Sequence, residues 1–292
     1  TNKIIADLEQ GELTWLKPWS AGNIEGKITK PLRHNGVPYS GINILMLWGA
    51  SIEAGFLSPY WMTFKQAKEL GGQVRKGESG ELVVYANTLV RTAEDENTGE
   101  EIEETIPFMK GYTVFNVEQI EGLPEQYHRL AEPVIDPVDR IDHAERFFQA
   151  TGADVNHGGN RAYYNISQDR IQMPIFESFR DAESYYATLA HECTHWTRHK
   201  RRLDRDFGRE KFGDAGYARE ELVAELGAAF LCADLGITLE DREDHAAYIG
   251  SWLKVLKDDK RAIFTASAHA QRAADFLHGL QPVIDEDDEA AA

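Results

Sequence analysis

The residues best placed to do chemistry lie in Tyr185-Tyr186-Ala187-Thr188-Leu189-Ala190-His191-Glu192-Cys193-Thr194-His195-Trp196. The apolar spacing is that of a helix. At about 100° per residue, His191 and His195 fall one turn apart on one face, so their imidazoles can converge on a single metal ion. Glu192 then stands beside the ion, not on it. Two neutral nitrogen ligands, an open coordination position and a carboxylate able to take a proton from water are the parts of a metal-assisted hydrolytic site. A solvated helix with two surface histidines is the plainer alternative, but Leu189, Trp196 and the paired tyrosines give this helix much apolar surface to bury. The helical position of Cys193 points it away from the histidines, and it reads as packing.

Such a site needs a third ligand, and the run Tyr217-Ala218-Arg219-Glu220-Glu221-Leu222-Val223-Ala224-Glu225-Leu226-Gly227-Ala228-Ala229-Phe230-Leu231 offers carboxylates on a second helix. Its core stripe reads Leu222, Leu226, Ala229 and Phe230, which leaves Glu221 and Glu225 stacked at i, i+4 on an adjacent face. One of the two can bind the metal while the other accepts the free N–H of a ligating histidine and fixes its tautomer. The local order resembles the third-ligand helix of thermolysin-like enzymes, where the metal-binding Glu comes first. That resemblance assigns Glu221 as ligand and Glu225 as its support, with the reverse as the alternative. Glu220 reads as a solvated charge at the helix start. The expected ion is Zn²⁺, with Mn²⁺ as alternative because a mixed imidazole and carboxylate set is not selective.

The elements that must position these groups are read from the rest of the chain. Its 292 residues and 42% apolar content suffice for two cores. No run of 18 apolar residues and no basic-then-apolar leader appears, so the expectation is a soluble protein without a membrane partner. Cys193 and Cys232 both fall in expected helices and suggest no disulfide framework, which fits a reducing cytosol. A linker is expected at 128–140, which carries two prolines and no periodicity. Residues 1–127 then form a mixed α/β domain and 141–284 a second α+β domain. An acidic disordered tail occupies 285–292. Expected helices are Asn2–Glu12, Asn43–Ala54, Thr63–Leu70 capped by its Thr, and Ile141–Thr151, with four more after residue 180. Strands are expected at Leu82–Arg91, Tyr112–Val117, Ala162–Ile166 and Arg170–Met173. The pair before the metal helix could lay an edge strand along the cleft for an extended substrate.

The net charge of −18 argues against nucleic acid as a partner, but its distribution matters more than its sum. Residues 1–130 hold 12 basic and 18 acidic side chains, and seven of those acids crowd into 94–104, which reads as an exposed hairpin with an Asn97-Thr98-Gly99 turn. The remainder of that half is almost balanced. It interleaves aromatic and basic residues: Trp15 to Trp19, Arg33 to Tyr39, Trp48, Trp61 to Lys65, Arg75, Lys76 and Tyr85. Single-stranded nucleic acid is held by that combination, since every base offers a π face and Lys and Arg track phosphates. Buried tryptophans with merely solvated cations are the plainer reading.

Several segments together resemble the ArdC-type plasmid antirestriction family and the related amino-terminal regions of TraC-type conjugative primases. They are Trp15–Trp19, Tyr39–Asn43, Trp61–Ala67, Val74–Gly80, Tyr112–Ile120, His191–Trp196 and Glu220–Leu231. The resemblance implies an amino-terminal single-stranded DNA-binding domain, with Trp61, Lys65, Arg75 and Lys76 as candidate contacts, joined to a zincin-like metallopeptidase domain. It further implies entry into a recipient cell with conjugating DNA, protection of that DNA from restriction, and action in the bacterial cytoplasm. Peptide hydrolysis would use Glu192 as base and then acid, with a neighbouring His or Tyr steadying the oxyanion. Tyr217 is the candidate for that last role, and His245 and His269 are further possibilities. Two other functions stay open. One is a DNA-masking protein in which the metal only braces the fold, and the other is a free-standing protease whose first domain selects protein substrates.

Overall fold

The computed structural model describes residues 1–10, 13, 30–94, 101–127, 137–208, 214–239 and 245–282. In chain order the elements are α1 (Asn2–Glu9), β1 (Leu32–Arg33), α2 (Ile42–Ala54), β2 (Tyr60–Thr63), α3 (Phe64–Glu69), β3 (Gln73–Val74), β4 (Glu81–Glu94), β5 (Glu101–Asn116), β6 (Ile120–Glu121), α4 (Pro137–Ala150), β7 (Asp154–His157), β8 (Tyr163–Asn165), β9 (Arg170–Met173), α5 (Ala182–Trp196), α6 (Ala215–Leu235), α7 (His245–Asp258) and α8 (Ala262–Gly279). The class is α+β. Trp15–Trp19, the Asn97-Thr98-Gly99 turn, residues 128–136 and the tail 285–292 lie outside the described residues. The last part of the expected linker, 137–140, is already helix. Pro137 takes its first position, where a missing N–H is of no consequence.

The chain divides into two compact units that are not consecutive in sequence. Thr1–Lys30, Ser40–Ile52 and Ala131–Ala292 form one, and Pro31–Tyr39 with Glu53–Leu130 form the other. The expected first domain is therefore shared between them. The reason lies in α2, whose Ile44, Leu45, Leu47 and Trp48 are all buried and leave no polar face for solvent. Trp48 packs against Phe230, ring centroids 6.3 Å apart, and Lys30 pairs with Asp234 at 2.6 Å.

The smaller unit is built on a four-stranded sheet of order β1-β2-β5-β4 and a two-stranded ribbon of β3 and β6. Thr63 ends β2 and caps α3: its hydroxyl accepts from the Gln66 N–H at 3.2 Å while the Gln66 amide oxygen accepts from the Thr63 N–H at 2.9 Å. The core of this unit gathers Met62, Ala67, Val74, Val117, Ile120, Leu123 and Tyr127. β4 and β5 run on past it as a long hairpin. Val83 and Val114 at its base are buried, but Tyr85, Leu89, Met109 and Tyr112 are exposed.

In the larger unit α6 is the central element, packed by α5, α7 and α8. It is buried on every side from Glu220 to Ala233 and ends at Gly236, whose φ of 66° is the left-handed helix stop glycine tolerates. The three-stranded sheet β7-β9-β8 pairs β7 parallel and β8 antiparallel to β9, so β8 is an edge. Both β8 and β9 pack on α5.

Candidate metal centre

The site is assembled by α5 and α6. Asp181 starts α5 by accepting hydrogen bonds from the Ser184 N–H at 2.7 Å and hydroxyl at 2.6 Å. Those bonds hold its carboxyl below the usual carboxylate range. One residue before His195, Thr194 meets Gly227 of α6, where an added Cβ would lie 2.5 Å from Thr194 Cγ2. Only glycine permits this approach, which brings the acidic start of α6 against the two imidazoles.

One ligand atom each from His191, His195 and Glu221 lie within 4.8 Å of one another. The Nε2 atoms of the histidines are 3.1 Å apart, and each lies 3.6 Å from a Glu221 carboxylate oxygen. A tetrahedral ion with bonds of about 2.0–2.1 Å holds its ligand atoms about 3.4 Å apart. The 3.6 Å distances run to different oxygens, His191 to Oε2 and His195 to Oε1, and one atom from each residue lies within 4.8 Å of the others, near enough for these residues to hold a divalent metal. The far sides of both rings are also engaged. His191 Nδ1 is 3.1 Å from Glu225 Oε1, and His195 Nδ1–H donates to Glu220 Oε1 at 3.0 Å. A carboxylate on Nδ1 keeps the lone pair on Nε2, directed inward.

Glu220 corrects the sequence expectation. It is 2% exposed, not a solvated charge. An amphipathic stripe presumes a helix with a wet face, and α6 has none over this stretch. Arg205 forks onto Glu220, Nε to Oε2 and Nη2 to Oε1, both at 2.8 Å, and also donates to Thr197 Oγ1 and the Thr194 carbonyl. Burial would raise the Glu220 carboxyl, but Arg205 and His195 outweigh it and hold the group at about 2. Burial would likewise lower His195, yet Glu221 and Glu220 together push it up to about 10. A pocket with this much buried negative charge calls for a cation, either protons or a metal.

Glu192 is 3% exposed, and its Oε2 has no hydrogen-bond partner among the described residues. An orphaned buried acceptor beside an imidazole pair is what a water or substrate proton would satisfy. The centre opens into a cleft of about 300 Å³ lined by Tyr163, Tyr164 and Ile166 at the β8 edge and by Tyr217 and Tyr248 from α6 and α7. Tyr217 and Tyr248 hydroxyls lie 3.0 Å apart. His269 is elsewhere, packed edge-on against Phe207 with its Nδ1 2.8 Å from Arg272. Burial lowers its pKa to about 4. The side chains of His245, Ala246 and Ala247 lie outside the described residues.

The residues expected to meet DNA separate. Trp61 is 1% exposed and packs edge-on against Phe56, so it belongs to the core and does not present a face for stacking. β2 is an interior strand, paired on both sides and covered on both faces, which no local pattern announced. Lys65 is exposed and lies 3.7 Å from Glu69. Arg75 is exposed but paired with Glu78 at 2.7 Å, and Lys76 is exposed. Sequence reasoning missed Arg205 and Tyr248. Arg205 sits in a charged turn that reads as solvent-facing. Tyr248 carried only the faint signal of an aromatic four residues before Trp252.

The fold and the candidate metal centre together are those of a zincin-like protein with a distinct amino-terminal region. Residues 142–269 match the family described as zincin-like metallopeptidase, and residues 1–115 match the amino-terminal domain of the anti-restriction factor ArdC. Two crystal structures of the antirestriction protein ArdC from plasmid R388 resemble this one. The metal-free form is 52% identical, with a TM-score of 0.78 over 96% of this chain and 95% of that one. The Mn(II)-bound form is 49% identical, with a TM-score of 0.77 over 97% of each. An uncharacterized protein, y4eC, of Sinorhizobium fredii is 45% identical over 96% of this chain and 91% of its own length. A DNA primase, TraC, of Escherichia coli is 39% identical over 94% of this chain, which spans only 26% of the primase. The chain belongs to the ArdC antirestriction family. Among the described residues no helix is long and apolar enough to cross a membrane.

Proposed function

We propose that this protein shields incoming plasmid DNA from restriction in the cytoplasm of a bacterial recipient cell, combining single-stranded DNA binding with metal-dependent peptide hydrolysis. One observation carries the hydrolytic half. Two imidazoles and Glu221 converge at the mouth of a cleft, both rings are backed by carboxylates, and Glu192 beside them has an unsatisfied oxygen. Zinc is the ion assigned, with manganese as the alternative, which the R388 relative's Mn(II)-bound form supports. Held by His191, His195 and Glu221, such an ion supplies Lewis acidity toward a carbonyl and lowers the pKa of a water. Glu192 accepts the proton of the attacking water and returns it to the leaving amine. Glu225 and Glu220 keep the imidazoles in the tautomer that presents Nε2. The β8 edge receives an extended peptide, and a tyrosine from the Tyr217–Tyr248 pair steadies the oxyanion.

For DNA, Lys65, Arg75 and Lys76 remain the proposed phosphate contacts. The rings come from elsewhere than Trp61. On the hairpin, Tyr85 stands opposite Lys110, Phe108 and Tyr112 follow at alternate positions of the same face, and the Lys110 ammonium lies 5.5 Å from the Phe108 ring centroid. Tyr85 and Tyr112 are exposed and Phe108 is half-buried, and such rings with a cation among them suit base stacking. Glu192→Gln tests how the two halves are joined, because it keeps the metal ligands and removes only the base. Loss of restriction protection in a conjugation assay, with DNA binding intact, is expected. Undiminished protection would reduce the protein to a DNA-masking one.

A further inference from the structure

We infer that the metal cleft runs on into a basic groove that selects an acidic side chain of the peptide substrate, with Lys200 and Arg201 as the selecting residues. The inference rests on the hydrolytic reading above and names a substrate class for it. The segment Arg198-His199-Lys200-Arg201-Arg202 follows the metal helix directly and puts four of the chain's 31 basic side chains into five positions. Like charges at that density repel one another unless partners offset them. The fold supplies partners unequally. Arg202 turns inward: its Nε donates to the Trp196 carbonyl at 2.7 Å, its Nη1 to Asp169 at 3.0 Å, and the guanidinium lies 3.8 Å over the Trp196 ring. Arg198 Nε stands 4.0 Å from Glu220 Oε1. Backbone bonds close the turn, Leu203 N–H to the Thr197 carbonyl and Arg205 N–H to the Arg198 carbonyl, both at 3.0 Å. Lys200 and Arg201 project from this fixed turn, exposed, and among the described residues neither side chain meets a carboxylate.

Both line a groove of about 730 Å³, together with Ser167 and Gln168 of the turn between β8 and β9. Ile166 and Arg198 line this groove and the metal cleft alike, so the two are continuous. A peptide lying along the β8 edge at the metal reaches the groove at one end, and a charge preference therefore falls on one side of the scissile bond. The lining also says what kind of anion fits. Asp204 and Asp206 share the groove, and it contains no Phe, Tyr or Trp. A pair of unpartnered cations beside a pair of carboxylates can hold one anionic side chain, but it cannot track a run of phosphates, and bases would find no ring to stack on. An acidic peptide is favoured over nucleic acid.

The test uses the full zinc-loaded chain and two series of tripeptides, one with a hydroxamate at its C-terminus and one with a succinyl hydroxamate at its N-terminus. Each is anchored on the zinc and extends to one side of it. Every position in turn carries Glu, Gln or Lys, and affinities are measured by titration calorimetry. At a position of one series, Glu should bind about three- to tenfold more tightly than Gln and Lys more weakly, with the Glu advantage shrinking as salt is added. In the double variant Lys200→Gln with Arg201→Gln, the Glu-to-Gln affinity ratio should fall to about one, with zinc content held by elemental analysis. Gln probes that bind without a Glu advantage at any position, or an advantage undiminished in the double variant, would overturn the inference and leave the hydrolytic reading standing. A double variant that loses single-stranded DNA affinity, in a protein with no Glu advantage, would assign the cluster to DNA and overturn it too. Native zinc protein that binds neither series would refute the hydrolytic reading itself, and the inference with it.

Discussion

Replacing Arg205 with Met removes the outermost layer of the metal centre without touching a ligand. The guanidinium side chain is 1% exposed and makes bonds to Glu220 Oε1, Glu220 Oε2, Thr197 Oγ1 and the Thr194 carbonyl. Met fills much of the same volume, so the principal loss is the charge and its fork. What remains is a Glu220 carboxylate 2% exposed, held by the His195 N–H, with Arg198 Nε 4.0 Å from Oε1. Removing one partner of a buried pair costs about 3–5 kcal/mol because the other charge is left uncompensated. Glu220 then protonates or shifts, and its grip on His195 Nδ1 weakens, so zinc affinity should fall by about 10–100-fold. Urea unfolding of the metal-free protein measures the first effect, and competition with a chromophoric chelator measures the second. The double variant Arg205→Met with Glu220→Gln should recover part of the stability, because no buried charge is left unpaired. An Arg205→Met protein within about 1 kcal/mol of native stability and with native zinc affinity would refute the layered account of the site.

Four further outcomes follow from the same geometry. Gly227→Ala should destabilise by about 1–3 kcal/mol through overpacking, and adding Thr194→Ala should relieve most of it, as chemical unfolding of both variants would show. Asp181→Ala should lose about 1 kcal/mol at neutral pH through the missing cap. Because the Asp181 carboxyl is held below its ordinary 3.8, that stabilisation is fully present above 3.8 and is lost as pH falls through the lower folded value. The difference between native and variant melts should therefore shrink on acidification below that point, and a gap that persists in acid would contradict the cap. Trp61→Ala should cost about 3–5 kcal/mol as a core truncation, with the salt dependence of DNA binding unchanged in whatever fraction stays folded. Arg75→Ala with Lys76→Ala should flatten the log–log salt slope for single strands by about 0.7 per lost phosphate contact, and a slope equal to the native one would remove these residues from the DNA surface.

The parts of the molecule that could be read directly were those whose meaning is local. The i, i+4 spacing of His191 and His195 puts two nitrogens on one helix face regardless of context, and Thr63 with Gln66 caps a helix by bonds made within four residues. The strand Arg170–Met173 is likewise set by its own alternation, with Ile171 and Met173 buried between exposed or half-buried neighbours. What could not be read depended on distant coverage. Glu220 looks like a surface charge until three helices close around α6. Trp61 looks like a stacking platform until β2 is seen to lie inside a sheet. β7, Asp154–His157, has one apolar residue in four and exists because its backbone pairs with β9. The allegiance of α1 and α2 to the larger unit follows from which apolar faces find partners, which a linear cut cannot express.

The central claim is that His191, His195 and Glu221 hold one divalent ion while Glu192 stays off it. Diffraction from crystals of the zinc-loaded protein, measured on both sides of the zinc absorption edge, tests this most directly. The account predicts a single strong anomalous peak about 2.0–2.1 Å from both Nε2 atoms and a Glu221 oxygen, with Glu192 outside bonding distance and Glu225 and Glu220 still on the Nδ1 atoms. A peak ligated by Glu192, Glu220 or Glu225 in place of Glu221, or no peak at this site in fully loaded protein, would contradict it.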